Sequence, residues 1–205
     1  MRSTIPLLLL LLLVSSPALA LVQNGAFDDG LAGWQTSGDV TLSGGAARLA
    51  DAGADVSALY QGVATGAGSF VLHFDVEPSL STAVPQLGFP DVFFASLYLA
   101  DDLSGFDPAL GNANAALPLF DLDHAGVSNL TGELDPLDGG VLHYSLPFET
   151  SFAFAIPTFE LFELGQAPGD SWVQIDNVRI VPEPGTTLLL GAGLALLAVR
   201  GRVSP

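Results

Sequence analysis

The 205-residue chain carries 22 acidic residues against five basic ones, a formal net charge of −17, and contains no cysteine. That balance repels nucleic acid and anionic lipid headgroups and leaves divalent cations, or plain solubility, as its meaning. Disulfide frameworks and thiolate sites are excluded. With 49% apolar residues and dispersed acids, the chain is expected to fold.

The N-terminus comes first. Arg2 supplies a short positive region, and residues 5–14 form an apolar run with seven consecutive leucines, Leu7 to Leu13. Ser15, Ser16 and Pro17 break the run, and Ala18-Leu19-Ala20 sets small residues at the −3 and −1 positions read by signal peptidase. The run is too short to span a bilayer but suits a secretory h-region. All three parts stand in order, which separates them from a buried leucine-rich helix. Residues 1–20 are therefore predicted to be a signal peptide, with Leu21 starting the mature chain.

Residues 21–181 are long enough for one domain with a real core. They hold every acidic residue except Glu183, no lysine, and only Arg48 and Arg179 as cations, a formal charge of −19. Short strands are predicted at 22–27, 40–42, 46–49 and 58–63. Residues 70–77 alternate cleanly: Phe70, Leu72, Phe74 and Val76 take one face, and His73, Asp75 and Glu77 the other. A longer apolar strand, buried on both faces or nearly so, is expected at 91–99. Residues 101–117 carry Gly105, Pro108, Gly111, Asn112 and Asn114 and read as a long surface insert. Strands follow at 141–146, at 151–156 with Phe152, Phe154 and Ile156 together, and at 172–180 with Trp172, Gln174, Asp176, Val178 and Ile180 on one side. No segment sustains a helical period, and no repeat or second domain is visible. Short strands separated by Gly- and Asp-rich turns predict an all-β sandwich.

The opening of the domain has specific content. Asn24-Gly25-Ala26-Phe27-Asp28-Asp29-Gly30-Leu31-Ala32-Gly33-Trp34 is followed by Gly38-Asp39-Val40, and Asp176-Asn177-Val178 lies in the last strand. Together these resemble the first and last strands of jelly-roll carbohydrate-binding modules, which begin Asn-Gly-x-Phe-Glu and Gly-x-x-Gly-Trp and close on an Asp. The resemblance covers the two ends of the domain. It implies a jelly roll and one structural calcium ion held by Asp28, which stands where the family has Glu, and by Asp176. Calcium takes six to eight oxygen ligands, which carboxylates and loop carbonyls could supply. The alternative makes Asp28 and Asp29 turn residues and leaves Asp176 solvated or bonded to backbone.

Other candidates are less specific. Asp121-x-Asp123 with Gly126 lacks the remaining acids of an EF-hand loop and reads as a solvated turn. A sugar site needs exposed aromatic rings; Tyr60, Tyr98, Tyr144 and Trp172 are available, with Tyr98, Tyr144 and Trp172 taken as ligand-binding candidates, while Trp34 reads as packing under the first turn. His73, His124 and His143 lack metal-ligand spacing. No nucleophile motif occurs, and nothing selects Glu149, Glu160 or Glu163 as a glycosidase pair, so a non-catalytic protein is expected.

The tail closes the reading. Val181-Pro182-Glu183-Pro184-Gly185 leads into the apolar residues 186–199, closed by Arg200 and Arg202. As a helix that stretch covers ~21 Å, against a hydrocarbon core of ~30 Å, so it is a short span that needs tilt or mismatch. The arginines keep its end cytoplasmic, and Pro182 and Pro184 leave an accessible extended segment ahead of it. Pro-Glu-Pro, apolar helix and basic end resemble the PEP-CTERM sorting signal of Gram-negative bacteria, here residues 182–205. The same tail is sometimes labelled an ice-binding-protein C-terminal domain, although no Thr-x-Thr ladder occurs in this sequence. The resemblance implies processing by an exosortase after passage through the inner membrane, then delivery to the cell surface or the exopolysaccharide matrix. A plain tail anchor is the alternative. The expectation is an exported, glycan- or exopolysaccharide-associated binding module; a structural or adhesive matrix protein and a glycoside-active enzyme are the other readings.

Overall fold

The computed structural model describes residues 21–50, 53–82, 89–163 and 171–183. The predicted signal peptide with Ala18 and Ala20, and the tail with Pro184, the 186–199 helix, Arg200 and Arg202, lie outside the described residues. Among the described residues no helix is long and apolar enough to cross a membrane.

Two antiparallel sheets face each other. The strands are β1 (Gln35–Ser37), β2 (Asp39–Ser43), β3 (Ala46–Ala50), β4 (Val56–Tyr60), β5 (Val63–Ala64), β6 (Gly68–Ser79) and β7 (Val92–Ala100). After them come β8 (Ala115–Asp123), β9 (Gly126–Ser128), β10 (Glu133–Pro136), β11 (Leu142–Thr150), β12 (Phe154–Phe162) and β13 (Trp172–Pro182). The first sheet runs β1-β4-β12-β7-β8-β9, with β5 beside β12; the second runs β10-β11-β6-β13-β3-β2. The chain changes sheet between β1 and β2, β3 and β4, β5 and β6, β6 and β7, β9 and β10, β11 and β12, and β12 and β13. That repeated crossing is the wrapping of a jelly roll. The fold is the predicted all-β sandwich.

Its core follows from the alternation. Phe70, Leu72, Phe74 and Val76 of β6 are buried, as their period-two spacing requires. Phe74 sits at the centre, its ring 4.8 Å from Tyr144 and 4.9 Å from Phe159. Phe159 also meets Phe93 from β7. Each such ring contributes about 1.5–3 kcal/mol by leaving water, so this cluster holds the two sheets together.

Several elements depart from the expected pattern. The strand doubly buried along its length is β12, Ala155 to Leu161, whereas β7 alternates between buried and partly exposed residues. β12 lies mid-sheet between β4 and β7, with a loop over part of its outward face. The insert ends at Asn114, and β8 takes over the last residues assigned to it. Pro118 and a register shift opposite Ala95/Ser96 break the alternation of β8 and hide it from a periodicity search.

Residues 22–27 form successive turns instead of a strand. Asn24, at φ 51°, gathers them: its Nδ2 donates to Gly30 O at 2.8 Å and its Oδ1 accepts the amide of Asp29 at 3.1 Å. Its carbonyl accepts Trp34 Nε1 at 3.1 Å, and Trp34 packs on Phe27 beneath the turn. Gly25 lies against the last strand: Val178 N donates to its carbonyl at 2.9 Å, and a Cβ on it would sit 1.9 Å from Val178 O. The Asn-Gly-x-Phe motif thus ties the start of the domain to its end.

β13 also reverses its faces. Val173 and Ile175 point into the core, but after Asn177, at φ 52°, Val178 and Ile180 do. Trp172, Gln174 and Asp176 therefore do not share a side with Val178 and Ile180, because one left-handed residue shifts the period by one.

Candidate functional site

The outward face of the first sheet carries a cleft of about 610 Å³. Its floor follows from strand register. Thr158 stands opposite both Tyr60 of β4 and Ser96 of β7, Ile156 opposite Tyr98, and Glu160 opposite Ala58 and Phe94. Even-numbered positions of the three strands therefore point outward together. Tyr60, Tyr98, Phe94, Glu160 and Phe162 converge there from segments far apart in the chain.

The loop between β7 and β8 forms the wall. Asn112 Oδ1 accepts the amide of Asp107 at 3.0 Å, and its Nδ2 donates to Gly105 O at 2.6 Å. Asn114 Oδ1 accepts the amide of Asp101 at 2.9 Å. Leu103 closes over Gly62, where a Cβ would come within 2.4 Å of its side chain. These contacts deliver Phe106 edge-on to two tyrosines, with centroids 5.5 Å from Tyr60 and 5.4 Å from Tyr98. The Gly, Pro and Asn residues that mark a loop in the sequence here build a fixed one.

Electrostatics mark the same place. Burial pushes the Glu160 carboxyl above its ordinary range, and the charge of Asp107 adds to the rise. The Tyr98 hydroxyl is raised by burial and then by Glu160, and Tyr60 by burial and then by Asp107. Two carboxylates and two phenols thus act on one another across one aromatic-walled cleft.

The three predicted ligand-binding aromatics are not brought together. Tyr98 lies in the cleft. Tyr144 does not: it is 0% exposed in the sandwich core, and its hydroxyl donates to Thr131 O. Its outward alternation partner is His143, so the strand's parity puts the tyrosine inside. Trp172 lies in the other sheet, where Arg48 sits over its ring at 4.7 Å. Phe94, Phe106 and Asp107 are the cleft residues that sequence reasoning missed. Their only sequence signal is Phe94's alternation with Tyr98; Phe106 and Asp107 carry none beyond a turn signature. Glu149 sits on β11 in the opposite sheet, which leaves Glu160 in the cleft without it.

The outward face of the second sheet is also acidic but differently arranged. Asp75, Glu77, Asp138 and Asp176 line a second cleft of about 550 Å³. Asp75 lies 2.6 Å from His143 Nδ1 and accepts Asn177 Nδ2 at 2.7 Å. His143 stacks on His73 with centroids 5.6 Å apart, a pairing made by strand register and invisible in the spacing. Burial, then Arg179 and His143, hold His73 below its ordinary pKa. Asp121 and Asp123 serve a turn, accepting from Asn129 Nδ2 and from the amides of Ala125 and Gly126.

Asp176 is raised by burial and by the neighbouring charges of Asp75 and Asp28, against a lowering hydrogen bond from Asn177 N at 2.7 Å. The fold therefore brings Asp28 and Asp176 into electrostatic reach. In kind these oxygen donors suit calcium. In number they fall short: among the described residues no three acidic or histidine side chains form a metal cluster. An ion there would draw most of its ligands from backbone carbonyls and water.

Comparison with known proteins adds the following. Residues 181–203 match the PEP-CTERM protein-sorting motif. The motif marks an exported protein sorted to the cell surface and implies exosortase processing. No curated protein matches the chain. Among solved structures, TmCBM61 in complex with β-1,4-galactotriose is similar at 14% identity and a TM-score of 0.46, over 81% of this chain and 100% of that one. The K3 cleaved adhesin domain of Lys-gingipain from Porphyromonas gingivalis matches at 17% identity and 0.46, over 78% and 98%. The enzymatically active domain of tailspike protein 4 from bacteriophage CBA120 matches at 17% and 0.49 over 80% of this chain, which spans only 21% of the tailspike chain.

Proposed function

We propose that the protein is a non-catalytic glycan-binding module, exported and sorted to the cell surface, that holds an exopolysaccharide in the cleft of its first sheet. The observation that carries this is the cleft itself. Tyr60, Tyr98 and Phe106 offer ring faces and edges for a pyranose, and Glu160 and Asp107 offer acceptors for its hydroxyls. Its volume lies in the range of small-ligand sites, about 300–1,000 Å³. A signal peptide over residues 1–20, cleaved after Ala20, and a transient anchor over 186–199 complete the export route. A calcium ion between Asp28 and Asp176 belongs to the same proposal as a brace between the first turn and the last strand.

A glycan array probed with the exported protein tests the reading. Binding to at least one polysaccharide is expected, with loss on Tyr98→Ala. Absence of all glycan binding would leave a structural or adhesive matrix protein. A second reading has its own observation: Glu160 and Asp107 are a carboxylate pair in one cleft, one of them shifted upward, as a glycosidase acid and its partner are. Release of reducing ends from the bound glycan, abolished in Glu160→Gln, would decide for an enzyme.

A further inference from the structure

The aromatic wall suits a sugar ring, and the charges beside it narrow the kind of sugar. Glu160 is only 7% exposed, faces the cleft, and takes no hydrogen bond or ion pair from any described residue. A buried carboxylate without a partner is costly to keep ionised. Asp107 stands close enough to act on it and spends Oδ1 on the amide of Ala109 at 2.9 Å. Among the described residues no lysine, arginine or histidine lines the cleft. A counter-charge for the ionised form of Glu160 would have to come from outside the described residues. The rings point the same way. Phe106 with Tyr60 and Tyr98 makes an aromatic corner, and aromatic faces attract cations. The two tyrosine hydroxyls have no partner among the described residues, so they remain available to a ligand.

We infer that the cleft takes a saccharide bearing a protonated primary amine, an N-deacetylated amino sugar, with its ammonium set between Glu160 and Asp107 and its ring against Tyr60, Tyr98 and Phe106. This rests on the glycan-binding reading above and gives it a substrate class. Acetylation would remove the charge and turn an amide methyl toward two carboxylates. A uronic acid would add a third carboxylate to two that already repel each other. A plain hexose would offer hydroxyl donors only, and charge-assisted hydrogen bonds are roughly twice as strong as neutral ones.

Calorimetry on the full-length protein in mild detergent tests this with tetramers of glucosamine, N-acetylglucosamine, glucose and galacturonic acid, and with spermidine as an amine that has no ring. The glucosamine tetramer should bind at least about tenfold more tightly than every other probe, and weaken as salt rises. Glu160→Gln should erase that preference. Asp107→Asn, which keeps the oxygen that caps Ala109, should reduce it. Glu149→Gln removes the same charge from an exposed position on the opposite sheet and should leave the preference intact. Tighter binding of the acetylated or glucose tetramer would overturn the amine assignment and leave the glycan reading standing. Failure of every saccharide would overturn both. Spermidine binding as tightly as the glucosamine tetramer would overturn the sugar ring as the recognised unit. Equal loss of preference in Glu149→Gln would reduce the effect to net charge and overturn the cleft as its seat.

Discussion

The two outward faces of the sandwich are built from the same acidic, lysine-free sequence, yet they pair their charges differently. On the second sheet, Asp75 is engaged by both His143 and Asn177, Asp176 accepts its neighbour's amide, and Arg48 covers Trp172. These groups are spent on each other, while His73 Nδ1 is buried without a hydrogen-bond partner. On the first sheet, Glu160 faces an aromatic cleft with no such partner, and its nearest charge is another carboxylate. Side chains that satisfy each other gain little from an added hydrogen-bonding ligand. A buried carboxylate left unmatched is costly to keep ionised. Composition, which is shared, therefore says less about binding than the pairing of charges does.

The largest effect that can sharpen this contrast is on the second face. A calcium ion shared by Asp28 and Asp176 should raise the melting temperature, by an amount equivalent to about 2.7 kcal/mol at a hundredfold excess over Kd. Asp176→Asn should abolish the response while raising stability without calcium at neutral pH, because it removes a carboxylate whose ionised form is disfavoured by burial. Magnesium at equal ionic strength should substitute poorly, since it gives up its water reluctantly. Equal stabilisation by both metals, persisting in Asp176→Asn, would mean screening of the −19 domain and no bound ion.

The next effect separates the faces by ligand binding. Phe106→Ala should cost about 2 kcal/mol of glycan affinity, the scale of an aromatic anchor, and leave the melting temperature nearly unchanged, as Phe106 belongs to a loop outside the core. Trp172→Ala, on the other sheet, should leave glycan affinity as it was. Titration of both variants with the array's best ligand checks the pair, and a reversed result would move the site to the second sheet.

The smallest effect concerns stability and pH. The folded state raises the Glu160 pKa, so it holds the proton more tightly than the unfolded chain does. Stability then falls as pH rises from the ordinary glutamate range through the shifted value. Glu160→Gln should melt higher than the parent at neutral pH and match it in acid. A variant that melts lower at pH 7 would show that Glu160 is already paired, and the contrast between the faces would fail.

The sequence by itself determined whatever depends on neighbours along the chain. Strand periodicity placed Phe70, Leu72, Phe74 and Val76 in the core, because successive side chains must alternate across a sheet. The Pro-Glu-Pro tail was legible because its whole signal lies in one short segment, and the Asn24 to Trp34 motif because one polar hub organises it locally. Proximity of Asp28 and Asp176 was reachable only through family resemblance. Tertiary structure alone decided the cleft: Tyr60, Tyr98, Phe106 and Glu160 come from three strands and a loop, and only antiparallel register sets them side by side. It also decided which aromatics face outward, since burial of Tyr144 depends on which side of β11 the opposite sheet covers. Even local parity yielded to it at Asn177, where one left-handed residue turned the rest of β13 over. Alternation is a property of a strand, whereas a binding site is a property of the pairing between strands, and the pairing is chosen by the packed core.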